Sequence, residues 1–515
     1  MTNPCAHLVS DRILCDVVRE VWRVRFTRAE VPVPAVPLPC VADLSGGWAE
    51  WVAGAEVEVG APFLISPLFE YDVVLNDFFQ GLGTVGAAPL TRTGYARDLA
   101  AFLSFLWSGR GRRSWRDATE ADHLAYLFWR RRDPDGPRVS GATWNREVAA
   151  VDQFYRWALR AGHVQVNPIP RVPRRSGGWE GGRRRAPDQL RAATYAHDAA
   201  GTRVGWLPPR SYRRWRDVGV RGFGSDDLPR PEFRGRWAAR NACFCDVMVR
   251  TGLRLSEQAA LTVFDVPAVA DQPGGYQRFW LPAAAAKGGS ARWVYVPSRL
   301  VGGLADYARW DRAEVVERAR EGGRYERWRR PWLVEDPGRP EARRVGSAQR
   351  VKVTHLGLAE RRELLVDGPD GLSPAWFWLG ESGEPLTVSA WKAMFAEANR
   401  RCAAAGVSLR CHAHLLRHTF AVVTLEQLQR GHLAALADMN QAGREHYTRV
   451  FGDPLDWVRR RLGHRSVITT QIYLHALAEL EMRTRMLLVP DDWEDPRDTG
   501  VADQPDGGGH ETAEA

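Results

Sequence analysis

In the stretch Leu462-Gly-His-Arg-Ser-Val-Ile-Thr-Thr-Gln-Ile-Tyr-Leu-His475, a tyrosine follows a histidine by nine residues, just beyond a Leu-Gly turn. Two upstream stretches, Thr251-Gly-Leu-Arg-Leu-Ser-Glu257 and His414-Leu-Leu-Arg-His-Thr-Phe420, add guanidinium and imidazole groups. The three stretches together supply a phenol, two guanidiniums and several imidazoles. These groups can attack a phosphodiester and hold the charge that develops on it. The set predicts chemistry on a phosphodiester.

Tyr473 is the candidate nucleophile. A phenol has a reference pKa of ~10, so it attacks well only beside positive charge or a proton acceptor. Arg254 and Arg417 are the candidate cations for the phosphate. The planar guanidinium offers two parallel hydrogen bonds to phosphate oxygens and stays charged at any working pH. Two arginines alone would indicate little in a chain so rich in them.

The histidines divide into candidate catalytic and supporting residues. His414 and Arg417 are three apart, share one helix face and could reach the same phosphate. His414 is expected to take a proton or bind the phosphate, and His464 to donate to a non-bridging oxygen. His418 is adjacent to Arg417, so we expect it to point elsewhere and to have a supporting role. His412 is expected to be incidental.

Lys287 lies in a Gly-rich turn between two strand-like runs, 277–281 and 292–296. A flexible ammonium there could reach into a groove and protonate a leaving 5′-oxygen. The chain has only three lysines, which makes one in this turn informative. A solvated loop lysine is the alternative interpretation.

The combination of the candidate nucleophile, arginines, histidines and lysine resembles the tyrosine recombinase (phage integrase) family. Thr251–Glu257 resembles the first arginine box of that family, and His414–Arg417 resembles the second. Leu462–His464 with Tyr473 resembles the closing box, including its nine-residue step. Lys287, followed by two glycines, resembles the lysine of the family's β-hairpin. The resemblance covers roughly residues 89–170 and 237–485.

The resemblance implies a protein that closes around duplex DNA and forms a 3′-phosphotyrosyl intermediate with a free 5′-hydroxyl. It also implies a homo-tetramer on DNA attachment sites, no metal or nucleotide cofactor, and room for accessory or directionality proteins. Glu257 matches an acidic family position that supports the structure rather than reacts. The implied fold is mainly α with a small antiparallel β-sheet, in which a helical core-binding domain precedes an α+β catalytic domain.

Charge is unevenly distributed along the 515 residues, whose net charge is +9. Residues 491–515 hold nine acidic residues against Arg497 alone, which predicts a disordered acidic tail. The remaining basic body suits a polyanion such as DNA. A general preference for arginine is the competing explanation.

A Gly-rich basic segment could follow a phosphate backbone or be a solvated linker. Its candidate DNA-binding residues are Arg174, Arg175, Arg183, Arg184 and Arg185.

We predict five segments from composition, helical periodicity and the resemblance. The N-terminus shows no signal pattern and no run is apolar enough to span a membrane, which favours the cytoplasm. The seven cysteines lack metal-type spacing and are expected to be reduced. The segments are an N-terminal region at 1–85 for arm-site binding or extension of the DNA clamp, a helical core-binding domain at 86–170, a linker or insertion at 171–236, a catalytic domain at 237–490 and the tail at 491–515.

The chain departs from the family pattern in three places. Arg417 and His464 are 47 residues apart, about twice the family's usual gap, which predicts an inserted loop or helix within 431–457. Residues 302–372 form a second long insertion, predicted to be helical and charged, and residues 1–85 carry no motif. None of these departures removes a catalytic residue.

The leading hypothesis is therefore a site-specific recombinase or integrase of a mobile element. One alternative is a non-catalytic DNA-binding protein of the same fold, which would form no covalent adduct with DNA. Another is a type IB-like DNA topoisomerase, which would relax supercoils as a monomer on arbitrary plasmid DNA.

Overall fold

The computed structural model describes residues 21–28, 58–81, 83–84, 86–173, 190–199, 204–269, 275–437, 439, 443, 452–467, 469–474 and 476–477. The chain divides into two compact units, residues 1–202 and 203–515. The candidate DNA-binding arginines 174, 175, 183, 184 and 185 lie outside the described residues, as does the predicted acidic tail. Within the described ranges, no helix has the length and apolar character needed to cross a membrane.

The first unit combines helices with two small antiparallel strand pairs, β1 with β2 and β3 with β4. The Trp22 backbone N–H donates to Ser104 Oγ at 2.9 Å, so the segment before β1 is held against a helix. The elements of this unit are β1 Arg23–Phe26, β2 Pro62–Ile65, α1 Val73–Gln80, α2 Pro89–Gly109, α3 Glu120–Arg131, α4 Gly141–Arg160, β3 Arg171–Pro173 and β4 Leu190–Ala192.

The helix starts of this unit follow capping chemistry. The Ser140 hydroxyl accepts from the Thr143 backbone N–H at the start of α4. At the start of α3, the Asp122 carboxylate accepts from the Thr119 backbone N–H. Helix α4 is continuous over its 20 residues, because neither proline nor glycine interrupts residues 142–160. Its buried face joins an aromatic core.

The second unit is mainly helical around one large apolar core. Residues 209–220 pack onto this core, since Trp215 stacks on Phe395 with ring centroids 5.7 Å apart. The helices of this unit are α5 Pro209–Trp215, α6 Ala238–Thr251, α7 Leu255–Ala259, α8 Ser298–Tyr307, α9 Ala313–Glu321, α10 Leu358–Arg362, α11 Val388–Ala404, α12 Ala413–Ala437 and α13 Pro454–Leu462.

The strands of the second unit form a hairpin and a separate five-stranded sheet. The hairpin pairs Tyr276–Leu281, β5, with Arg292–Pro297, β6, at the positions predicted from sequence. The sheet has the order β11-β10-β7-β8-β9, and only its β10–β7 pair is parallel. Its strands are β7 Trp332–Val334, β8 Glu341–Arg344, β9 Arg350–Lys352, β10 Leu364–Gly368 and β11 Gly371–Pro374.

The predicted fold class, mainly helical with small sheets, is confirmed. The five-stranded sheet lies in a stretch that the sequence predicts to be helical and charged. Its strands are only three to five residues long, too short for alternation to be recognised. The buried run Trp376–Leu379 follows this sheet in sequence but is not one of its strands. That buried run makes only single bridges, Thr262 with Trp376 and Leu379 with Pro385.

Two helices account for part of the long interval between Arg417 and His464. α12 continues to Ala437, and α13 occupies Pro454–Leu462 directly before the Leu-Gly turn. Residues 438–451 lie outside the described residues except for Met439 and Gly443. The predicted insertion therefore begins as an extension of the helix that carries Arg417.

Candidate active site

Arg254 stands between two helices at a sharp change of chain direction. Helix α6 ends at Gly252, whose φ of 64° is left-handed, and α7 begins at Leu255. A Cβ at position 252 would lie 2.3 Å from Cδ1 of Phe420, so only glycine fits there. The Glu257 carboxylate accepts from the Arg254 backbone at 3.0 Å and from its guanidinium at 2.8 Å. The helix start thereby fixes the position of Arg254.

Glu257 joins three parts of the site. It is 1% exposed and pairs with Arg292 at 2.6 Å. It also accepts from the backbone N–H of Lys287 at 3.2 Å. Burial alone would raise the pKa of Glu257, but Arg292 and the hydrogen bonds with Arg254 lower it to about 2. The predicted supporting position thus connects the first arginine to the lysine turn.

Arg292 was missed as a site residue by the sequence reasoning. It lies at the start of β6 in the inward-facing register, where Val294 and Val296 are the other buried residues. Its guanidinium also donates to the Arg461 carbonyl at 2.8 Å. An arginine in the buried register of an alternating strand requires a partner, and this is the signal that could have identified it.

Arg417 is buried at 2% exposure and is held by two helix ends. Its two terminal nitrogens donate to the carbonyls of Gly252 and Leu462, each at 2.5 Å. These carbonyls belong to the C-terminal ends of α6 and α13, where partial negative charge favours a cation. Burial lowers the pKa of Arg417 to about 9, which leaves it charged at neutral pH.

Tyr473 lies in the helical stretch 469–474 and is 1% exposed. It shares a buried cluster with Phe420 and Leu425 of α12 and with Leu462 of α13. Burial raises the pKa of the Tyr473 phenol, while the charges of Arg417 and Arg254 act in the opposite direction. The candidate nucleophile is therefore held close to both candidate phosphate-binding arginines.

His418 contacts Tyr473 directly, and the prediction that it points elsewhere is wrong. Its Nδ1 lies 3.0 Å from the Tyr473 hydroxyl. Neighbouring residues on a helix point about 100° apart, so they face different groups but can border the same site. Arg417 turns toward the carbonyls of Gly252 and Leu462, while His418 faces the stretch that carries Tyr473. Sequence spacing alone could not place that stretch beside α12.

His464 follows Gly463, a left-handed residue with φ of 64° that ends α13. A Cβ at position 463 would lie 2.9 Å from Ser290 Oγ and 3.1 Å from an Arg292 nitrogen, so the turn closely approaches the hairpin. The His464 ring lies parallel to the Tyr473 ring at 6.4 Å, and its Nδ1 lies 3.0 Å from Thr470 Oγ1. Burial, then Arg417 and Arg254, lower the pKa of His464 to about 4.

The two histidines near the start of α12, His412 and His414, differ in role. His414 is exposed, and its ring centroid lies 4.3 Å from that of His418. Burial of part of the ring and the charge of Arg417 lower the pKa of His414. His412 accepts from the Leu415 backbone N–H at 3.2 Å, which caps the start of the helix. That His412 is incidental to the chemistry stays a prediction.

Lys287 is exposed in the turn between β5 and β6. Gly288 and Gly289, which follow it, both have positive φ, at 66° and 70°. The Gly288 carbonyl accepts from Arg465 at 2.7 Å, so the turn is tied to the residue after His464. The fold therefore places the lysine turn beside the segment that leads to Tyr473.

The arrangement brings together groups that are far apart in sequence. A phenol, two arginines and three imidazoles converge in the second unit, beside a turn that carries an exposed ammonium. Arginines can hold the non-bridging oxygens of a phosphodiester, and the phenol can attack its phosphorus. The contributing residues are Arg254, Lys287, His414, Arg417, His418, His464 and Tyr473.

Comparison with known proteins gives one family-model match and relatives of partial length. Residues 75–162 match the phage integrase N-terminal SAM-like domain. The chain is 27% identical over 182 residues to a tyrosine recombinase XerC of Roseiflexus sp. (strain RS-1), covering 35% of this chain and 46% of the relative. It is 29% identical over 176 residues to the XerC of Roseiflexus castenholzii (strain DSM 13941 / HLO8), covering 34% and 44%. The chain thus spans less than half the length of these relatives.

Solved structures with a similar chain course include two DNA complexes. A XerH site-specific recombinase bound to palindromic difH substrate in a post-cleavage complex is 16% identical, with a TM-score of 0.42 over 78% of this chain and 81% of that chain. A lambda integrase dimer bound to a COC′ core site is 13% identical, with a TM-score of 0.39 over 78% and 75%. With the matched domain and the XerC relatives, the predicted resemblance to tyrosine recombinases is confirmed.

Proposed function

We propose that this chain, a relative of the tyrosine recombinases, is a site-specific DNA recombinase of the integrase type. It would cut and rejoin duplex DNA through a 3′-phosphotyrosyl intermediate on Tyr473. The observation that carries this proposal is the hydroxyl of Tyr473 held among Arg417, His418 and His464. The XerC relatives and the matched integrase domain support the same activity.

Arg254 and Arg417 would bind the non-bridging oxygens of the scissile phosphate. Their positions are fixed before substrate arrives, because Glu257 holds one and two helix-end carbonyls hold the other. Donors that need no reorganisation during the reaction stabilise developing charge most effectively. Two guanidiniums in fixed positions therefore suit a transition state with additional charge on the phosphate oxygens.

His464 and His414 would complete the phosphate site. Thr470 fixes the ring of His464 through Nδ1, which leaves Nε2 to donate to a non-bridging oxygen. His414 is exposed at the start of α12 and is available to the phosphate from solvent. Both rings have lowered pKa values, so they would act as neutral donors near pH 7.

The cleavage step transfers one phosphoryl linkage. The Tyr473 oxygen forms a bond to phosphorus and the bond from phosphorus to the 5′-oxygen breaks. Lys287 would supply a proton to that leaving oxygen, which becomes the free 5′-hydroxyl. The phosphate stays esterified, now to Tyr473 instead of the 5′-oxygen. A second 5′-hydroxyl can therefore attack this phosphorus, displace Tyr473 and restore the DNA strand.

The partners of this activity belong to the same proposal. They are duplex DNA attachment sites, three further copies of this chain in a tetramer, and accessory or directionality proteins. Residues 86–170 would form the core-binding domain and residues 237–490 the catalytic domain, in a protein of the cytoplasm. Arginine contacts to phosphate release counterions, so we expect affinity for DNA to fall steeply with salt.

The test is covalent capture on nicked suicide substrates built from DNA that flanks the gene. The wild-type protein should form an SDS-resistant adduct, and Tyr473→Phe should abolish it while retaining DNA binding. Tyr276→Phe is the matched control, because Tyr276 is exposed on β5. An adduct that survives Tyr473→Phe would contradict the proposal. Relaxation of arbitrary supercoiled plasmid by a monomer would favour a topoisomerase instead.

A further inference from the structure

We propose that His418 is the catalytic residue that accepts the proton of the Tyr473 hydroxyl when the DNA strand is cut. This inference rests on the proposed recombinase activity and names the base for its nucleophile. The atoms concerned are Nδ1 of His418 and the phenol oxygen, 3.0 Å apart. That distance is within the range for proton transfer along a hydrogen bond. His418 therefore touches a reacting atom.

The other two histidines of the site have different contacts. Nδ1 of His464 faces Thr470 at 3.0 Å, and its ring lies parallel to the Tyr473 ring rather than pointing at the hydroxyl. His414 contacts the ring of His418 at 4.3 Å. Arginines remain protonated and cannot accept a proton. Within the part of the chain that the structure describes, the hydrogen bond recorded for the Tyr473 hydroxyl is the one to His418.

The surroundings keep His418 neutral and able to accept. Burial, followed by the charges of His414 and Arg417, lowers its pKa to about 4, so Nδ1 carries a free lone pair in the tautomer protonated at Nε2. The position of the ring is set by α12, the same helix that carries Arg417. A buried phenol with a raised pKa needs such an acceptor within reach.

The proton moves as the covalent bond forms. The phenol O–H bond breaks and its proton goes to Nδ1, while the oxygen bonds to phosphorus and the 5′-oxygen leaves with a proton from Lys287. A resting imidazole with so low a pKa does not deprotonate the phenol beforehand. Transfer therefore accompanies attack, after which the oxygen is an ester and no longer competes for the proton. In rejoining, His418 returns the proton to the departing tyrosine.

The test compares His418→Asn and His418→Phe with His412→Asn, in single-turnover adduct formation. Asparagine can still accept a hydrogen bond near the Nδ1 position but cannot take the proton. We expect both His418 variants to react about 10²–10⁴-fold more slowly, with DNA binding retained. His412→Asn should react like the wild type, because asparagine also caps a helix. Thermal unfolding of each variant shows which are folded. If His418→Phe does not fold, the comparison of His418→Asn with His412→Asn alone tests the inference.

A substrate with sulfur at the bridging 5′ position separates the two proton transfers. A thiolate leaves without a proton, so this substrate should restore cleavage to Lys287→Ala but not to His418→Asn. The inference would be overturned if the sulfur substrate restored cleavage to His418→Asn. It would also be overturned if His418→Asn cleaved ordinary DNA nearly as fast as the wild type. If the wild-type protein forms no adduct on either substrate, the proposed function itself fails.

Discussion

Two regions of the site are built in different ways. The ion cluster, Arg254, Glu257, Arg292 and Arg417, is fixed by ion pairs and by hydrogen bonds to helix-end carbonyls. The lysine turn, residues 282–291, is held by the core contacts of Ala285 and Ala286 and through its backbone, by Glu257 at Lys287 and by Arg465 at Gly288. Lys287 itself is exposed.

The difference separates the two electrostatic tasks of the proposed reaction. Binding the phosphate and stabilising its charge require cations in fixed positions, and the ion cluster has them before DNA arrives. Delivering a proton to the leaving oxygen requires a group that reaches the substrate once it is bound. An exposed ammonium on a positioned backbone suits that task. Substitutions in the ion cluster should thus affect stability and catalysis together, whereas substitution of Lys287 should affect catalysis alone.

Among substitutions in the ion cluster and the lysine turn, Arg417→Ala is expected to lower the rate of adduct formation most. Adduct formation should fall by about 10²–10³-fold or more, because a preorganised donor to the phosphate is lost. The variant should also unfold at lower temperature, since the carbonyls of Gly252 and Leu462 lose their donor. Single-turnover cleavage and thermal unfolding measure the two effects. An inactive Arg417→Ala variant with wild-type stability would contradict the claim that the ion cluster supports stability and catalysis together.

Lys287→Ala should slow cleavage of ordinary DNA by about 10²-fold through loss of the general acid. Its unfolding temperature should match that of the wild type, because the backbone contact with Glu257 does not need the side chain. Lys352→Ala is the matched control, as an exposed lysine on β9. Marked destabilisation of Lys287→Ala would show that the turn is part of the ion cluster.

Glu257→Gln should have the smallest effect on the rate and a clear effect on stability. Removing the carboxylate leaves Arg292 buried without its counterion, at a cost of about 3–5 kcal/mol in the free energy of unfolding. Chemical denaturation measures this cost, and the exposed Glu317→Gln should change it little. Equal unfolding free energies for Glu257→Gln and the wild type would contradict the account of the ion cluster.

Glu257 also sets an expected pH dependence of stability. Its folded pKa of about 2 lies below the ordinary value of 4.5. The contribution of this carboxylate to stability is therefore fully present above about pH 4.5 and is lost as pH falls through 2. Denaturation of the wild type between pH 6 and pH 2 should show this loss, and Glu257→Gln should show less of it.

The sequence indicates which candidate residues belong together better than it indicates what surrounds them. Helical spacing and turn glycines place Arg417, the Gly463 turn and the β5–β6 hairpin, because these are local patterns. The contact of His418 with Tyr473 depends on tertiary packing of residues 55 positions apart, which no spacing shows. Arg292 was overlooked because its partner Glu257 lies 35 residues away. The short strands of residues 332–374 have no detectable period of their own.

The central claim is that Tyr473 becomes joined to DNA. Its most direct measurement is mass spectrometry of the trapped adduct after digestion with protease and nuclease. Among lysines and arginines, Arg465 is the last before Tyr473 and Arg483 is the first after it, so trypsin should place Tyr473 in the peptide 466–483. The account predicts that this peptide carries a nucleotide linked through phosphate to Tyr473. A nucleotide on any other residue of the wild-type protein would contradict it.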